Sequence, residues 1–164
     1  MKQEFYDRLA APFETSERKK NCLLRVNHIL MDVVYLVYPA LLFYLMVYRD
    51  SRFWRVLLVP AVTFVLVSLF RRKFNAPRPY EKWPVKPLIP KDTKGNSFPS
   101  RHVFSIYIIA MAAWYACPPL GVILCVAGVF LAAARVIGRV HFVKDVVAGA
   151  LIAVGCGILS FWVI

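Results

Sequence analysis

Five stretches of roughly 20 mainly apolar residues, near 29–48, 52–70, 100–117, 119–137 and 143–164, alternate with polar islands along this chain. A helix of that length crosses the hydrocarbon of a bilayer, so the pattern predicts five spanning helices in an all-α, polytopic membrane bundle. Ahead of them, Phe5, Leu9 and Phe13 recur at helical spacing among charges. They predict an amphipathic segment lying on the membrane surface until Pro12 interrupts it. Residues 1–28 are read together as this interfacial segment, with the polar stretch 14–20 leading into the first span.

Between the second and third apolar windows, residues 71–99 carry Pro77, Pro79, Pro84, Pro87, Pro90 and Pro99 among many lysines. That composition predicts a loop rather than a helix or strand. The other gaps between spans are short and no internal repeat is evident, so residues 1–164 are read as a single domain. Gly149, Ala153 and Gly157 form a stripe of small residues on the fifth span, suited to the close approach of another helix or to self-association as a homo-oligomer.

Composition places the chain in a compartment. With 60% hydrophobic residues in 164 and a mean hydropathy of +0.59, there is more apolar surface than one small soluble core could bury. The net charge of +12 raises the question of nucleic acid, but the charges lie in loops between apolar spans and no nucleic-acid motif accompanies them. Anionic lipid headgroups are the expected partner. Cys22, Cys117, Cys125 and Cys156 show no close pairing; they are read as small buried apolar residues, with neither a disulfide nor a zinc site expected. Lys2, Gln3 and Glu4 lead into no early apolar core, so no removable signal peptide is expected.

The candidate chemistry sits at the edges of the apolar windows. Arg71 precedes Arg78-Pro79; Pro99-Ser100-Arg101-His102 opens the third window; Arg135, His141 and Asp145 straddle the fourth and fifth. A phosphoryl group in transfer spreads negative charge over its oxygens, which guanidinium forks match in shape and sign. A neutral imidazole can attack phosphorus if a carboxylate orients its other nitrogen, and a second imidazole can protonate the departing oxygen. His141, Asp145 and His102 fit those roles, with Asp145 one helical turn from His141. Ser100, at a helix start, would offer unpaired amides to an anion. His28 and Asp32 repeat the i, i+4 spacing at the start of the first span without an arginine cluster. They are read as a structural or interfacial pair.

In order, spacing and residue type, these clusters resemble the type 2 phosphatidic acid phosphatase (PAP2) superfamily. Its pattern reads Lys-x6-Arg-Pro, Pro-Ser-Gly-His and Ser-Arg-x5-His-x3-Asp; this chain has Arg71-x6-Arg78-Pro79, Pro99-Ser100-Arg101-His102 and Ala134-Arg135-x5-His141-x3-Asp145. Three positions depart from it. Arg71 stands in place of lysine, with Lys73 as an alternative; Arg101 replaces glycine; Ala134 replaces serine and removes a hydroxyl. The resemblance implies a metal-independent lipid phosphatase without cofactors. His141 would be the nucleophile, His102 the acid and base, and Asp145 the orienting carboxylate. Arg71, Arg78, Ser100, Arg101 and Arg135 would hold the phosphoryl oxygens. Undecaprenyl diphosphate, phosphatidic acid and phosphatidylglycerol phosphate are the substrates it suggests. A non-catalytic lipid-binding protein is the alternative that Arg101 and Ala134 motivate, and the soluble haloperoxidase relatives are disfavoured by five spans.

Five crossings put the N-terminus, the proline-rich loop and the segment 135–144 on one side of a cell membrane. Bacterial relatives place that face outside, whereas Lys82, Lys86, Lys91, Lys94 and the basic N-terminus pull it toward the cytoplasm. The extracytoplasmic face is the expectation taken from the resemblance.

Overall fold

The computed structural model describes residues 3–163. Its helices are α1 (Gln3–Glu14), α2 (Glu17–Val47), α3 (Phe53–Phe74), a single turn α4 (Pro79–Lys82), α5 (Arg101–Ala116), α6 (Pro118–Ile137) and α7 (Val143–Ile158), the last continued by a π-helical turn, Leu159–Val163. Four helical segments, Glu17–Val47, Phe53–Lys82, Pro118–Ile137 and Val143–Val163, are long and apolar enough to cross a membrane. The remaining expected span is α5, which has 16 residues and is therefore about 24 Å long.

α5 is the axis of the bundle, packed on α2, α3, α6 and α7 and buried at nearly every position from Val103 to Ala113. Protein groups satisfy its ends. At the start, the Ser100 amide donates to the Asp145 carbonyl at 2.8 Å. At the finish, Arg52, itself paired with Asp50 at 2.7 Å, donates from Nη1 to the carbonyls of Tyr115 and Ala116, both at 3.2 Å. These carbonyls are among the four a helix leaves unbonded at its C-terminus.

The small-residue stripe on α7 is where α5 approaches. A Cβ on Gly149 would lie 2.7 Å from the Ser100 carbonyl oxygen, and one on Gly157 would lie 2.6 Å from Met111 Cβ. Ala153 between them is fully buried. The stripe therefore serves packing within the chain.

Two prolines interrupt the outer helices, Pro39 in α2 and Pro60 in α3. Pro60 has no N–H for the Val56 carbonyl four residues back. The Tyr38 hydroxyl donates to that carbonyl at 3.1 Å and lies 3.3 Å from that of Leu57, joining α2 to α3. Tyr38 is thus an internal strut, while Tyr35, Tyr44 and Tyr48 are exposed on the apolar surface as expected of packing and headgroup anchors.

Several expectations are corrected. α1 runs through Pro12 to Glu14 instead of stopping; Pro12 leaves the Arg8 carbonyl without its helical donor, and the last turn is held by the pairing of Glu14 with Arg139. The interfacial segment 1–28 is divided, because Ser16 caps a new helix by accepting from the Lys19 amide at 3.5 Å and residues 17–28 belong to α2. At 31 residues and about 46 Å, α2 exceeds the hydrocarbon thickness, so its polar first turns reach beyond it. α3 likewise persists to Phe74 inside the expected 71–99 loop, where Asn75 ends it in the left-handed conformation, and α4 adds one turn. Cys22 and Cys117 are exposed while Cys125 and Cys156 are half-buried, and none is paired. A helix exposed to lipid buries only one face, so apolar residues on its other face stay at the protein surface. His28 and Asp32 lie on the exposed side of α2 and are not bonded to each other.

Gly149→Ala is expected to lower stability by about 1–3 kcal/mol through overpacking against the Ser100 backbone. Thermal unfolding in detergent checks this, with the open Gly155→Ala, which meets no neighbour and gains helix propensity, as the control that should not destabilise.

Candidate active site

The end of α3, the start of α5, the end of α6 and the start of α7 meet at one end of the bundle, roofed by the proline-rich loop and flanked by α1. Each of the three sequence clusters lies there.

Arg71, in the last turn of α3, is 6% exposed and donates to the carbonyls of Asn96, Ser97 and Pro99. Lys73 is exposed, so Arg71 is the cation of this turn that faces inward. Arg78 precedes α4, and its own amide donates to Glu81 Oε2 at 2.8 Å. Its guanidinium donates to the Gly95 carbonyl at 2.9 Å and to the Val140 carbonyl at 3.1 Å, tying the loop to the turn after α6. Gly95 has a φ of +65°, and a Cβ there would lie 2.0 Å from Asn75 Oδ1. A side chain there would be strained and would have to displace Asn75 at the position whose carbonyl Arg78 uses. Arg135, in the last turn of α6, donates to Asn27 Oδ1 at 3.2 Å, while its Nε has no partner among the described residues.

Arg71, Arg78 and Arg135 lie near enough for their like charges to repel, and Arg101 adds to the crowding. Their hydrogen-bond partners are carbonyls and an amide, which satisfy donors without cancelling charge. Lys91 reaches the same region: burial first, then Arg78, Arg135, Arg101 and Arg71, pushes its ammonium below the ordinary lysine value.

His141 lies in the 138–142 turn and is 1% exposed. Its Nδ1 is 3.4 Å from Ser97 Oγ and 3.6 Å from Asp145 Oδ2, and its Nε2 makes no hydrogen bond among the described residues. Asp145, in the first turn of α7, is fully buried; Oδ2 accepts from the Ser97 hydroxyl and from the Phe142 amide at 3.0 Å. Burial is the largest cause holding the His141 imidazole well below its ordinary value, helped by Arg135 and Arg78 against the opposing pull of Asp145. The ring is neutral at pH 7, with a carboxylate on one side and a free nitrogen on the other. That is the state a nitrogen nucleophile needs.

His102, the second residue of α5, is partly buried, makes no side-chain hydrogen bond among the described residues and lies within electrostatic reach of His141 and Arg135. Ser100 is buried and its hydroxyl has no partner among the described residues. Arg101 is exposed, its guanidinium 5.6 Å from the Phe64 ring centroid. It borders two spaces. One is a cleft of about 380 Å³ lined by Arg71, Arg72, Arg78, Lys91 and Lys94 without a carboxylate; the other is an apolar groove of about 350 Å³ between α2, α3 and α5, lined by Pro39, Pro60 and Phe64, with His102 and Ser105 at its polar end. Ala134 packs against Ala10, Leu23 and Leu88, so the hydroxyl it lacks is missing from an apolar contact rather than from the arginine cluster.

Sequence reasoning missed Asn27, Ser97, Glu81, Lys91 and Arg139. Ser97 was within reach, being a polar residue directly before the Phe98-Pro99 that opens the third window. Asn27 carried no comparable signal, since its partner Arg135 is 108 residues away. Among the described residues, no group of three or more His, Cys, Asp or Glu side chains could hold a metal ion.

The family model described as the PAP2 superfamily matches residues 52–164. The crystal structure of LpxE from Aquifex aeolicus superposes with a TM-score of 0.74 at 26% identity, covering 96% of this chain and 92% of that one. That of the first transmembrane PAP2-type phosphatidylglycerolphosphate phosphatase from Bacillus subtilis superposes with a TM-score of 0.69 at 20% identity, covering 96% and 83%. No curated protein sequence matches the chain.

Asn27→Ala is expected to cost about 1.5–3 kcal/mol, the worth of a buried hydrogen bond to a charged group, because Arg135 then keeps its charge and loses its acceptor. Denaturant unfolding in detergent measures it.

Proposed function

The chain belongs to the PAP2 superfamily, in a membrane-embedded phosphatase fold, and from that premise we propose that it hydrolyses a lipid phosphate or diphosphate through a phosphohistidine intermediate, without a metal ion. The observation that carries the proposal is the neutral, buried His141, backed by Asp145 and set among guanidiniums that repel one another. A phosphate dianion relieves that repulsion on arrival, and its phosphorus is the electrophile the free imidazole nitrogen needs.

In the first step His141 Nε2 attacks phosphorus and the bond from phosphorus to the leaving oxygen breaks, while His102, in its imidazolium form beside the bound phosphate dianion, gives that oxygen its proton and becomes neutral. In the second, His102 takes a proton from water as the water oxygen attacks phosphorus and the P–N bond breaks. Inorganic phosphate leaves and His141 is neutral again. Asp145 stabilises the cationic ring between the two steps. Arg71, Arg78 and Arg135, with the Ser100 hydroxyl and the amides at the start of α5, hold the three phosphoryl oxygens. The apolar groove ending at His102 supports a lipid substrate: the chain stays in an apolar surrounding while its headgroup reaches the cations. Phosphatidic acid, phosphatidylglycerol phosphate and undecaprenyl diphosphate fit this description. Arg101, between groove and cleft, meets the headgroup at the entrance.

Phosphate release from dioctanoyl phosphatidic acid and farnesyl diphosphate in detergent tests the reading. His141→Ala is expected to fall to background and His102→Ala by at least about 100-fold, with both variants still folded. Arg71→Ala is expected to lose far more activity than Lys73→Ala. EDTA should leave the rate unchanged; loss of activity restored by a divalent cation would instead indicate metal catalysis. Turnover that survives in His141→Ala removes the nucleophile assignment.

We also propose that the site faces the extracytoplasmic side. Cys22, near the site end of α2, and Cys117, at the opposite end of the bundle, are both exposed. In intact cells a membrane-impermeant maleimide is expected to label a variant retaining only Cys22 and to spare one retaining only Cys117. The reverse pattern places the site in the cytoplasm.

A further inference from the structure

We propose that α1 is a clamp that positions His141, with Arg139 and Tyr6 as its positioning residues. The His141 side chain is held only loosely, at 3.4 Å from Ser97 Oγ and 3.6 Å from Asp145 Oδ2. Its aim therefore depends on the backbone of the 138–142 turn, and α1 grips that turn on both sides.

On one side is Arg139, two residues before His141, at a φ of +55° that a non-glycine residue adopts at a cost. Its side chain is buried and spans two carboxylates of α1, with Nη2 donating to Asp7 Oδ1 at 2.8 Å and Nη1 donating to Glu14 Oε1. On the other side, two residues after His141, the Val143 amide is one of the donors a helix start leaves unbonded. It donates to the Tyr6 hydroxyl at 3.2 Å. The Tyr6 ring also packs edge-on against Phe142 at 5.7 Å and at a tilt against Trp83 at 5.2 Å, and Trp83 packs on Phe142 at 5.4 Å. Residues 139, 142 and 143 are thus fixed by one helix, and residue 141 between them inherits their position.

Arg139 differs in kind from Arg71, Arg78 and Arg135. Two carboxylates neutralise it, so it has no charge left for a phosphate, and its contacts lead to α1 instead of the cation cluster. Its effect on turnover passes through His141.

The test uses the full-length protein in detergent, with dioctanoyl phosphatidic acid as substrate. In Asp7→Asn/Glu14→Gln, kcat is expected to fall tenfold or more while KM stays within twofold. The acid limb of kcat/KM should move to higher pH, because a loosened turn admits water to an imidazole whose low pKa comes mainly from burial. Tyr6→Phe, which keeps the ring and removes only the acceptor, should shift both in the same direction by less. Arg139→Lys should keep more activity than Arg139→Gln, since one ammonium can still reach one carboxylate. Hydrogen exchange gives a readout independent of turnover: the amides of 139–143 should exchange faster in Glu14→Gln. Folded Tyr6→Phe and Glu14→Gln proteins with native kcat, acid limb and exchange overturn the clamp. So does a raised KM at native kcat, which would make Arg139 a substrate contact. The kinetic arm rests on the phosphatase reading; if the native protein releases no phosphate yet exchange responds, that reading fails and the clamp stands.

Discussion

Crowding of like charge at the edge of a membrane is the constraint from which most of this structure follows. Arg71, Arg78 and Arg135 are buried together, with Arg101 and Lys91 beside them and the carboxylates of Asp145 and Glu81 near them. Buried cations must be hydrogen-bonded, and carboxylates would do this most strongly. Here carbonyls do it, from Asn96, Ser97, Pro99, Gly95 and Val140, with the Asn27 amide on Arg135. Dipoles satisfy the N–H groups and leave the charge standing. Arg139, a few residues along, shows the other solution, two carboxylates and no remaining charge. The difference between an arginine that can receive an anion and one that only braces the fold is written in the type of its partner.

That solution explains the loop. A segment that must turn several carbonyls inward cannot spend them in helix or sheet bonding, and proline, by removing N–H donors, keeps the chain from doing so. The loop is correspondingly held by the arginines it surrounds. Gly95 shows how tightly, since its carbonyl serves Arg78, its amide serves Glu81, and its Cα faces the Asn75 side chain with no room for a Cβ. Substitutions in the loop therefore act on the cation cluster even where they touch no substrate.

Much of this was legible in the sequence because hydrophobic periodicity and motif order are both local signals. The apolar windows located the long helices, the small-residue stripe located the contact of α7 with α5, and Ser100 was placed correctly at a helix start. What was not legible depends on distance along the chain. Asn27 meets Arg135 across 108 residues, Arg139 meets Glu14 across 125, and Tyr6 meets Val143 across 137. Pro12 was read by its local tendency to break a helix, and a tertiary ion pair two residues later overrode it. The first window failed at its boundary for a related reason: a hydropathy window ends where the hydrocarbon ends, whereas α2 does not.

The two spaces that meet at Arg101 give that residue a significance its position in the motif did not suggest. The arginine, laid over Phe64, borders both the cationic cleft and the apolar groove. The groove exists because Pro39 and Pro60 face it from adjacent helices and Tyr38 braces those helices just below. An amphiphile entering from the bilayer would slide its chain between α2 and α3 and bring its headgroup up to His102, meeting a guanidinium at the point where hydrocarbon gives way to charge. A soluble phosphate ester would reach the cleft but gain nothing from the groove. The shape of the entrance, more than the candidate catalytic residues themselves, is what favours the proposed lipid substrate.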